Sequence, residues 1–566
     1  MCGIFLYLVK NGDQQTDDSK LNVDSIHELL SNRGPDSRHE LKLNICDWSA
    51  HFVGHVLHTQ GQSICRQPLT NENQGHILLW NGDVFNDSYV TEDECDTTEV
   101  FKNMNRDGVL HTVSELTGPF AFIYYNSDEQ SVWFGRDVIG RHSLLWSVTA
   151  DSILITSVAG VKRDFKFTEV PSKGIFKLNL ETQSLDFHPW SHSEDFCPQS
   201  SENVPIIKKT SVRHFLIDSF ANKDTNPQDV EAYTVSTNKN DEFYARLLAN
   251  SEVLPRVEKF IDILSKSIKV RTEKQPNVCK LCINTRKEFW PRCNHSKLGI
   301  LFSGGLDSTV LALLADKFVP PEDPIDLFNV AFQNPTKSTV NFSVPDRETG
   351  LSSLKELQSL CPKRTWNFVK IDVPFTELMI TRVNHISDLI HPLDTVLDDS
   401  LGCAVWFAAR GSGVLLRDND FYTSPARVVL LGMGVDELLG GYTRHRSEWR
   451  RSQSWEQLGD TLATDVARIG HRNLGRDNRV VSDHGRQPRT PYLDERLVAY
   501  VLSLHPSKRC YLSDTLPVGV GDKLLLRLVA WKLGLRNCAT LPKRAMQFGS
   551  RIANSKEKGS QVCDRL

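Results

Sequence analysis

Through the first 190 positions, short β-branched and aromatic runs alternate with turn residues. The runs Ile77-Leu78-Leu79-Trp80, Phe120-Ala121-Phe122-Ile123-Tyr124-Tyr125 and Ser131-Val132-Trp133-Phe134 predict strands of four to six residues. The apolar start up to Val9 is too short for a signal peptide and lacks a basic leader, so it reads as a buried strand. A helix is predicted over residues 21–30. Together these elements predict a largely antiparallel, layered domain with some helices.

The texture changes over residues 191–253. The stretch 223–242 is rich in Asn, Asp, Thr and Ser and reads as a mobile insertion or linker. Helical periodicity resumes where Val257, Phe260, Ile261, Leu264 and Ile268 fall at three- and four-residue spacings. From there to about residue 552, apolar strands alternate with helical stretches. Leu298-Gly299-Ile300-Leu301-Phe302 leads into a Gly-rich loop and a helix over 309–317, and Val428-Val429-Leu430-Leu431 leads into another loop. That alternation predicts a parallel sheet in an α/β domain.

Composition narrows the class. A chain of 566 residues exceeds what one core supports, so two or more domains are expected. The net charge of -4 supplies no field to recruit nucleic acid or an anionic membrane, and no apolar run is long enough for a membrane span. Thirteen cysteines scattered without a framework suit a reducing compartment, so a cytoplasmic location is expected.

Cys2 directly follows Met1. Removal of Met1 would leave a thiol nucleophile beside a free α-amine of ordinary pKa about 7.7–8.0, which can take the thiol proton. Motifs follow in order: Arg33-Gly34-Pro35-Asp36, Asn81-Gly82-Asp83, Asp96-Thr97-Thr98-Glu99, Gly118-Pro119-Phe120-Ala121-Phe122 and Gly135-Arg136-Asp137. Taken alone, Asn81-Gly82 also reads as a hairpin turn. As a set, the motifs resemble those of class II glutamine amidotransferases over nearly all of residues 1–190. The resemblance implies that Cys2 attacks the glutamine amide, that Asn81 and the Gly82 N–H stabilise the oxyanion, and that Asp96 holds the substrate α-amine.

In the second half, Ser303-Gly304-Gly305-Leu306-Asp307-Ser308 joins a strand to a helix. Glycines let backbone approach phosphate, and a helix N-terminus offers it free N–H groups. Asp307 would repel phosphate unless Mg²⁺ lay between them. The loop lacks a Walker A ending and resembles the pyrophosphate loop of enzymes that adenylate a carboxylate. Leu431-Gly432-Met433-Gly434-Val435-Asp436-Glu437-Leu438, Gly440-Gly441-Tyr442, Arg489-Thr490-Pro491-Tyr492-Leu493-Asp494 and Pro542-Lys543-Arg544 follow.

With the first half, these motifs resemble the asparagine synthetase family. The segments 392–400 and 473–477 are similar to its asparagine synthetase domain-containing subgroup. The resemblance implies an α+β, N-terminal-nucleophile-type layered glutaminase domain (1–190) and a polar linker or insertion (191–255). An α/β parallel-sheet ATP-pyrophosphatase domain (256–552) and a C-terminal tail (553–566) follow. Glutamine, aspartate and ATP are the implied substrates and Mg²⁺ the implied cofactor. Ser303, Gly304, Gly305, Asp307, Ser308, Asp436 and Lys543 are implied at the nucleotide, with Asp307 and Asp436 acting through Mg²⁺. Lys523 and Arg527, four apart on an expected helix, read equally as a site pair or a solvated face.

Several positions depart from the family. Val56 stands where an Arg usually binds the substrate carboxylate, with His58 or Arg66 as stand-ins. The usual Asp-x-Glu is stretched by one residue, so Asp96 or Thr97 fills the amine-binding position. Asp83 takes a Glu position, and residues 398–400 also differ. Met433 stands where Glu serves the amidation step, and a thioether neither accepts a proton at useful pH nor anchors a cation. Cys279, Cys282, Cys293 and His295 have the residue types of a zinc site. With one Cys-x-x-Cys and a close Cys293/His295 pair, an ordinary loop is the preferred reading.

Overall fold

The structure is a computed structural model, described for residues 2–11, 23–71, 75–86, 95–160, 165–198, 205–214, 224–228, 230, 240–283, 292–334, 341–514, 516, 519–553 and 558–563. The first half contributes β1 (Gly3–Lys10), α1 (Val23–Arg33), β2 (Ser37–Ile45), β3 (Trp48–Val56), β4 (Leu69–Thr70), β5 (Ile77–Gly82), α2 (Asp96–Asp107) and α3 (Val109–Glu115). It continues with β6 (Phe120–Asn126), β7 (Ser131–Arg136), β8 (Leu145–Val148), β9 (Ser152–Thr156), β10 (Thr168–Glu169), β11 (Gly174–Asn179), β12 (Leu185–Pro189) and β13 (Ile206–Lys208). All the strands expected here form, and the apolar start is β1.

Two sheets stack, with orders β10-β8-β9-β1-β3-β2 and β13-β12-β11-β7-β6-β5-β4. Alternation along β1 explains the layering. Ile4, Leu6 and Leu8 face Ile77, Leu79, Ala121 and Ile123 of the opposite sheet, while Phe5 turns outward onto Ile26, Leu29 and Leu30 of α1. The second sheet's outer face, Leu78, Trp80 and Phe122, packs on Val100, Met104 and Val113 of α2 and α3. The result is a helix–sheet–sheet–helix stack, in keeping with the layered domain expected. Asn81-Gly82 is no hairpin turn: it ends β5, paired with Ala121 and Phe120 of β6.

The second half begins with α4 (Asn240–Leu248), α5 (Val253–Glu273), α6 (Lys280–Ile283), β14 (Leu298–Leu301), α7 (Leu306–Ala315), β15 (Ile325–Phe332), α8 (Pro345–Leu360) and β16 (Trp366–Val373). Strands β17 (Ser412–Leu415), β18 (Phe421–Thr423), β19 (Val428–Leu430) and β20 (Gln487–Arg489) complete one sheet, ordered β18-β17-β16-β15-β14-β19-β20. Its five central and right-hand strands are parallel, as the alternation predicts, and β17 and β18 form an antiparallel edge. The apolar face of α5 buries Val257, Phe260, Leu264 and Ile268 against α7 and the sheet.

The described part of the polar stretch is docked rather than loose. Asp224 N–H donates to the Ser503 carbonyl and its carboxylate meets Lys508, while Gln228 N–H donates to Ser507 Oγ. Val230 is fully buried. Backbone N–H groups and the Asp224 carboxylate here meet helix ends of the second half, a use that composition does not reveal. Residues 231–239 lie outside the described residues. Near the C-terminus, Val396 N–H donates to the Gln561 carbonyl, and Cys563 N–H to the Asp394 carbonyl.

Buried charges tie the halves together. Arg427 forks onto Asp36 at 2.8 and 3.1 Å, Arg489 onto Asp83 at 3.0 Å twice, and Arg479 reaches Glu169 at 2.8 Å. Arg141 meets Glu495 and the Leu493 carbonyl. Removing one partner of such a pair leaves an uncompensated buried charge and costs about 3–5 kcal/mol.

Candidate active sites

Cys2 sits at the head of β1, in the core between the two sheets. Its N–H donates to Asn81 Oδ1 at 3.0 Å, and Gln67 Nε2 approaches its sulfur at 3.6 Å. Gln67 is fixed in turn by accepting the Trp80 N–H at 2.7 Å. Burial pushes the Cys2 thiol above its ordinary range. The Asn81 carbonyl contacts His142 Nδ1 at 2.8 Å, and Asn81 Nδ2 is buried with no hydrogen-bond partner. A buried amide donor left unsatisfied beside a nucleophile is what a developing oxyanion requires.

Asp96 begins α2. Its Oδ1 accepts from Thr97 N–H at 2.7 Å and Thr97 Oγ1 at 3.3 Å, and its Oδ2 lacks a partner of ordinary geometry. Of the two amine-binding candidates, Asp96 presents the carboxylate, with the Trp80 side chain and the Val84 N–H beside it, and the Thr97 hydroxyl is spent on it. Burial, then repulsion from Asp83, raises the Asp96 carboxyl to about 6.

Val56 is buried in the inter-sheet core and offers no charge. His58 does not replace the missing Arg. Burial, then Arg427, lowers its imidazole to about 4, so it is neutral at pH 7. Arg66 is exposed. The buried cation close by is Arg33, at the end of α1. It spends Nη2 on Asn478 Oδ1 at 3.0 Å, and its Nε and Nη1 have no partner. Burial, then Arg479, lowers it to about 9, with Cys2 among the groups that counter this. Arg33 stands in the Arg-Gly-Pro-Asp motif but was given no role from the sequence, and Gln67 carried no sequence signal.

The second site lies in a cavity of about 2020 Å³ walled by both halves. Ser303, Gly305, Asp307, Ser308, Asp436 and Lys543 line it. Gly304 turns the loop at φ +75°, where a Cβ would come within 2.4 Å of the Gly350 backbone. Helix α7 then starts at Leu306, with its first amides beside the cavity. Lys523 Nζ bridges Asp307 at 2.7 Å and Asp436 at 2.6 Å, and Lys543 caps the other Asp436 oxygen. Burial opposes ionisation of Asp436, but Lys523 and Lys543 outweigh it and hold the carboxyl well below the usual range. Burial likewise opposes the Lys523 charge, and the two carboxylates reverse that. Gly441 is needed here, since a Cβ would fall 1.9 Å from Asp436 Oδ1.

Lys523 and Arg527 both line the cavity, as the site reading expected, but they reach it by different routes. Lys523 precedes the helix Leu524–Lys532 in a left-handed conformation and turns to the carboxylates. Arg527 is buried on Asp522 and the Ala539 and Leu541 carbonyls. Met433 lines the cavity, as the substitution for Glu implied. A second carboxyl stands nearby: burial, then Asp436, raises Glu437 to about 7, and it accepts from Tyr442 Oη at 2.6 Å and Asn473 Nδ2 at 3.2 Å. Asp346, in the first turn of α8, is raised to about 7 by burial. Arg476 faces the cavity between Asp398 and Asp477, at 2.6 and 2.8 Å. No sequence signal pointed to Asp346 or Arg476 as cavity-lining residues. Two paired carboxylates and hard oxygen donors at the loop suit Mg²⁺.

The profile of the glutamine amidotransferase domain matches residues 1–170, and that of asparagine synthase matches residues 294–468. An asparagine synthetase domain-containing protein of Drosophila melanogaster is 38% identical over 100% of both chains. The asparagine synthetase domain-containing protein 1 of Homo sapiens is 37% identical over 100% of this chain and 98% of its own. A Saccharomyces cerevisiae relative is 28% identical over 88% and 83%. With two matched domains in this order and relatives aligned from end to end, this chain belongs to the asparagine synthetase domain-containing family.

Proposed function

We propose that this chain hydrolyses glutamine at Cys2 and uses the ammonia to amidate an ATP-activated carboxylate, with aspartate as the acceptor. The observation that carries the proposal is the Lys543–Asp436–Lys523–Asp307 chain of charges beside a glycine-turned loop and helix N-terminus. That set suits polyphosphate with Mg²⁺.

In the glutaminase, the Cys2 thiolate attacks the amide carbon after Met1 is removed. The α-amine accepts the thiol proton and returns it to the departing ammonia, and water then cleaves the thioester to glutamate. Asn81 Nδ2 and the Gly82 N–H stabilise the oxyanion, Asp96 Oδ2 takes the substrate ammonium, and Arg33 supplies the cation that Val56 lacks. In the synthetase, the acceptor carboxylate attacks the α-phosphorus of ATP and pyrophosphate leaves. Ammonia then attacks the acyl carbon, AMP leaves, and a base takes the extra proton. Glu437 fits that last role, since a carboxyl near 7 exchanges protons at working pH. Mg²⁺, held by Asp307 and Asp436, would neutralise phosphate charge.

The test supplies amide-¹⁵N-glutamine, ATP, Mg²⁺ and aspartate, and reads labelled asparagine with pyrophosphate. Label in asparagine is expected. Pyrophosphate release stimulated by another carboxylate and not by aspartate would overturn the acceptor. Met433 favours a second reading, a weakened homologue that binds nucleotide for a regulatory purpose, in which neither product forms although ATP binds. All thirteen cysteines are unbridged, which supports a cytoplasmic location, and a tagged chain resident in a secretory compartment would refute it. Among the described residues no helix is long and apolar enough to cross a membrane.

A further inference from the structure

The fold brings Cys279, Cys282, Cys293 and His295 to one point. Their ligand atoms all lie within 4.8 Å of one another, against the expectation of an ordinary loop. The spacing argument fails because the chain bends at His295, so two residues only two apart turn toward the same centre. Cys279 and Cys282 come from one turn at the start of α6, and the Cys293 segment crosses it with its N–H on the Asn277 carbonyl at 3.2 Å.

We infer that Cys279, Cys282, Cys293 and His295 form a structural zinc site in which every coordination position is a protein side chain. His295 Nδ1 lies 3.5 Å from Cys279 Sγ and 3.4 Å from Cys282 Sγ. Zn–S bonds of about 2.3 Å and Zn–N bonds of about 2.0–2.1 Å in a tetrahedron give S···N edges of about 3.6 Å. The separations therefore already match a metal-centred geometry. Three thiolates with one imidazole select zinc over Mg²⁺ or Ca²⁺, which take oxygen ligands.

The outer shell is also built. The Cys279 N–H points at Cys293 Sγ at 3.2 Å, a donor suited to a thiolate. Lys297 Nζ donates to the Cys293 carbonyl at 2.7 Å and pairs with Asp323 at 2.6 Å. Lys280, between the first two cysteines, fixes the turn through its N–H to the Pro425 carbonyl and its Nζ to the His484 carbonyl at 2.6 Å. All four cluster residues precede β14, whose opposite end feeds the phosphate loop. The metal thus anchors the segment between α5 and the sheet and stands apart from the chemistry. With four protein ligands no position remains open to water or substrate.

The test measures zinc in the full chain, purified without chelator, by elemental analysis, and then exchanges it for Co²⁺. About one zinc per chain is expected, with the thiolate-to-cobalt charge-transfer band and the intense visible bands of a tetrahedral site. Cys282→Ser and His295→Ala, at less buried positions, should each weaken retention by about 10-fold or more, whereas Cys46→Ser should leave the stoichiometry at one. Should a variant unfold, mercurial titration of the unmutated chain decides the matter, because zinc release must track thiol modification. Substoichiometric metal from zinc-supplemented cells, an octahedral cobalt spectrum, or a disulfide among these cysteines would overturn the inference.

Discussion

Replacing Lys523 with Met tests the charge arrangement at the nucleotide loop most directly. Both side chains are unbranched, so the left-handed backbone at φ +54° is strained equally in the two proteins. The substitution removes an ammonium lying 2.7 Å from Asp307 and 2.6 Å from Asp436. At an effective dielectric of about 20, each contact amounts to about 6 kcal/mol of attraction, and burying the ammonium offsets much of it. Breaking a buried pair typically costs about 3–5 kcal/mol, and the carboxylates keep 22% and 15% side-chain exposure. The expected loss is therefore near the lower limit, about 3 kcal/mol at pH 8.

The pH dependence follows from the directions of the shifts. Asp436 lies below its ordinary value, so its stabilisation is present above pH about 3.9 and is lost only as pH falls through the depressed value. Lys523 lies above its ordinary value, so its stabilisation is present below pH about 10.4 and is lost as pH rises through the raised value. Between these limits the unmutated pair contributes no slope. Without the ammonium the Asp436 carboxyl loses the largest charge that holds it down and shifts upward, so Lys523→Met should regain stability on going from pH 8 to 5. Millimolar Mg²⁺ should also rescue it at pH 8 more than it stabilises the unmutated chain. Denaturant titrations at both pH values, with and without Mg²⁺, provide the measurement. A loss below about 0.5 kcal/mol, or one indifferent to both pH and Mg²⁺, would refute the reasoning.

Cys2→Ala should abolish glutamine hydrolysis while ammonia-dependent pyrophosphate release continues, and glutamate formation at an undiminished rate would remove Cys2 from the mechanism. Because Asp96 is raised to about 6 and must be ionised to hold the substrate ammonium, KM for glutamine should climb about tenfold per pH unit below 6. Asp96→Asn should flatten that profile, and an identical profile in the variant would assign the titration elsewhere. Met433→Glu should speed amidation by roughly tenfold or more, the worth of one charged partner, as read by label transfer into the acceptor. No change in a folded, ATP-binding variant would mean that the acceptor is not one this position serves. Arg33→Met should raise KM for glutamine by a similar factor with ATP affinity intact, and a change confined to kcat would argue against a role for Arg33 in binding the substrate carboxylate.

Much of the architecture was legible because it is local. The alternation in β1, the apolar face of α5 and the strand–loop–helix around Ser303 each declare themselves within about twenty residues. The motif residues were legible as chemical types, and Asp307, Asp436 and Lys543 do share one cavity. What could not be read is convergence over distance. Nothing beside Gln67 says that it will touch Cys2. Helical spacing paired Lys523 with Arg527, yet a left-handed residue before the helix sends the lysine to two carboxylates and leaves the arginine to clamp carbonyls. The convergence of Cys279, Cys282, Cys293 and His295 was illegible for a related reason: spacing rules assume regular turns, and this segment bends. The segment around Asp224 looked unstructured because its polar groups satisfy partners nearly three hundred residues away.

The arginines that cross between the halves also set an order of assembly. Asp36 waits for a partner 391 positions later in the chain, and Asp83, one residue after the Asn81-Gly82 pair, for one 406 positions later. A ribosome that has released only the first half has made a domain whose carboxylates are destined for burial but still lack their counter-ions. Its sheets close on themselves, β5 between β4 and β6, but Asp36 and Asp83 stay without their arginines until Arg427, just before β19, and Arg489, in β20, emerge. The first half therefore reaches its full stability only once the sheet of the second half is made, and a chain cut between the halves should be less stable by about 3–5 kcal/mol for each carboxylate left buried and unpaired.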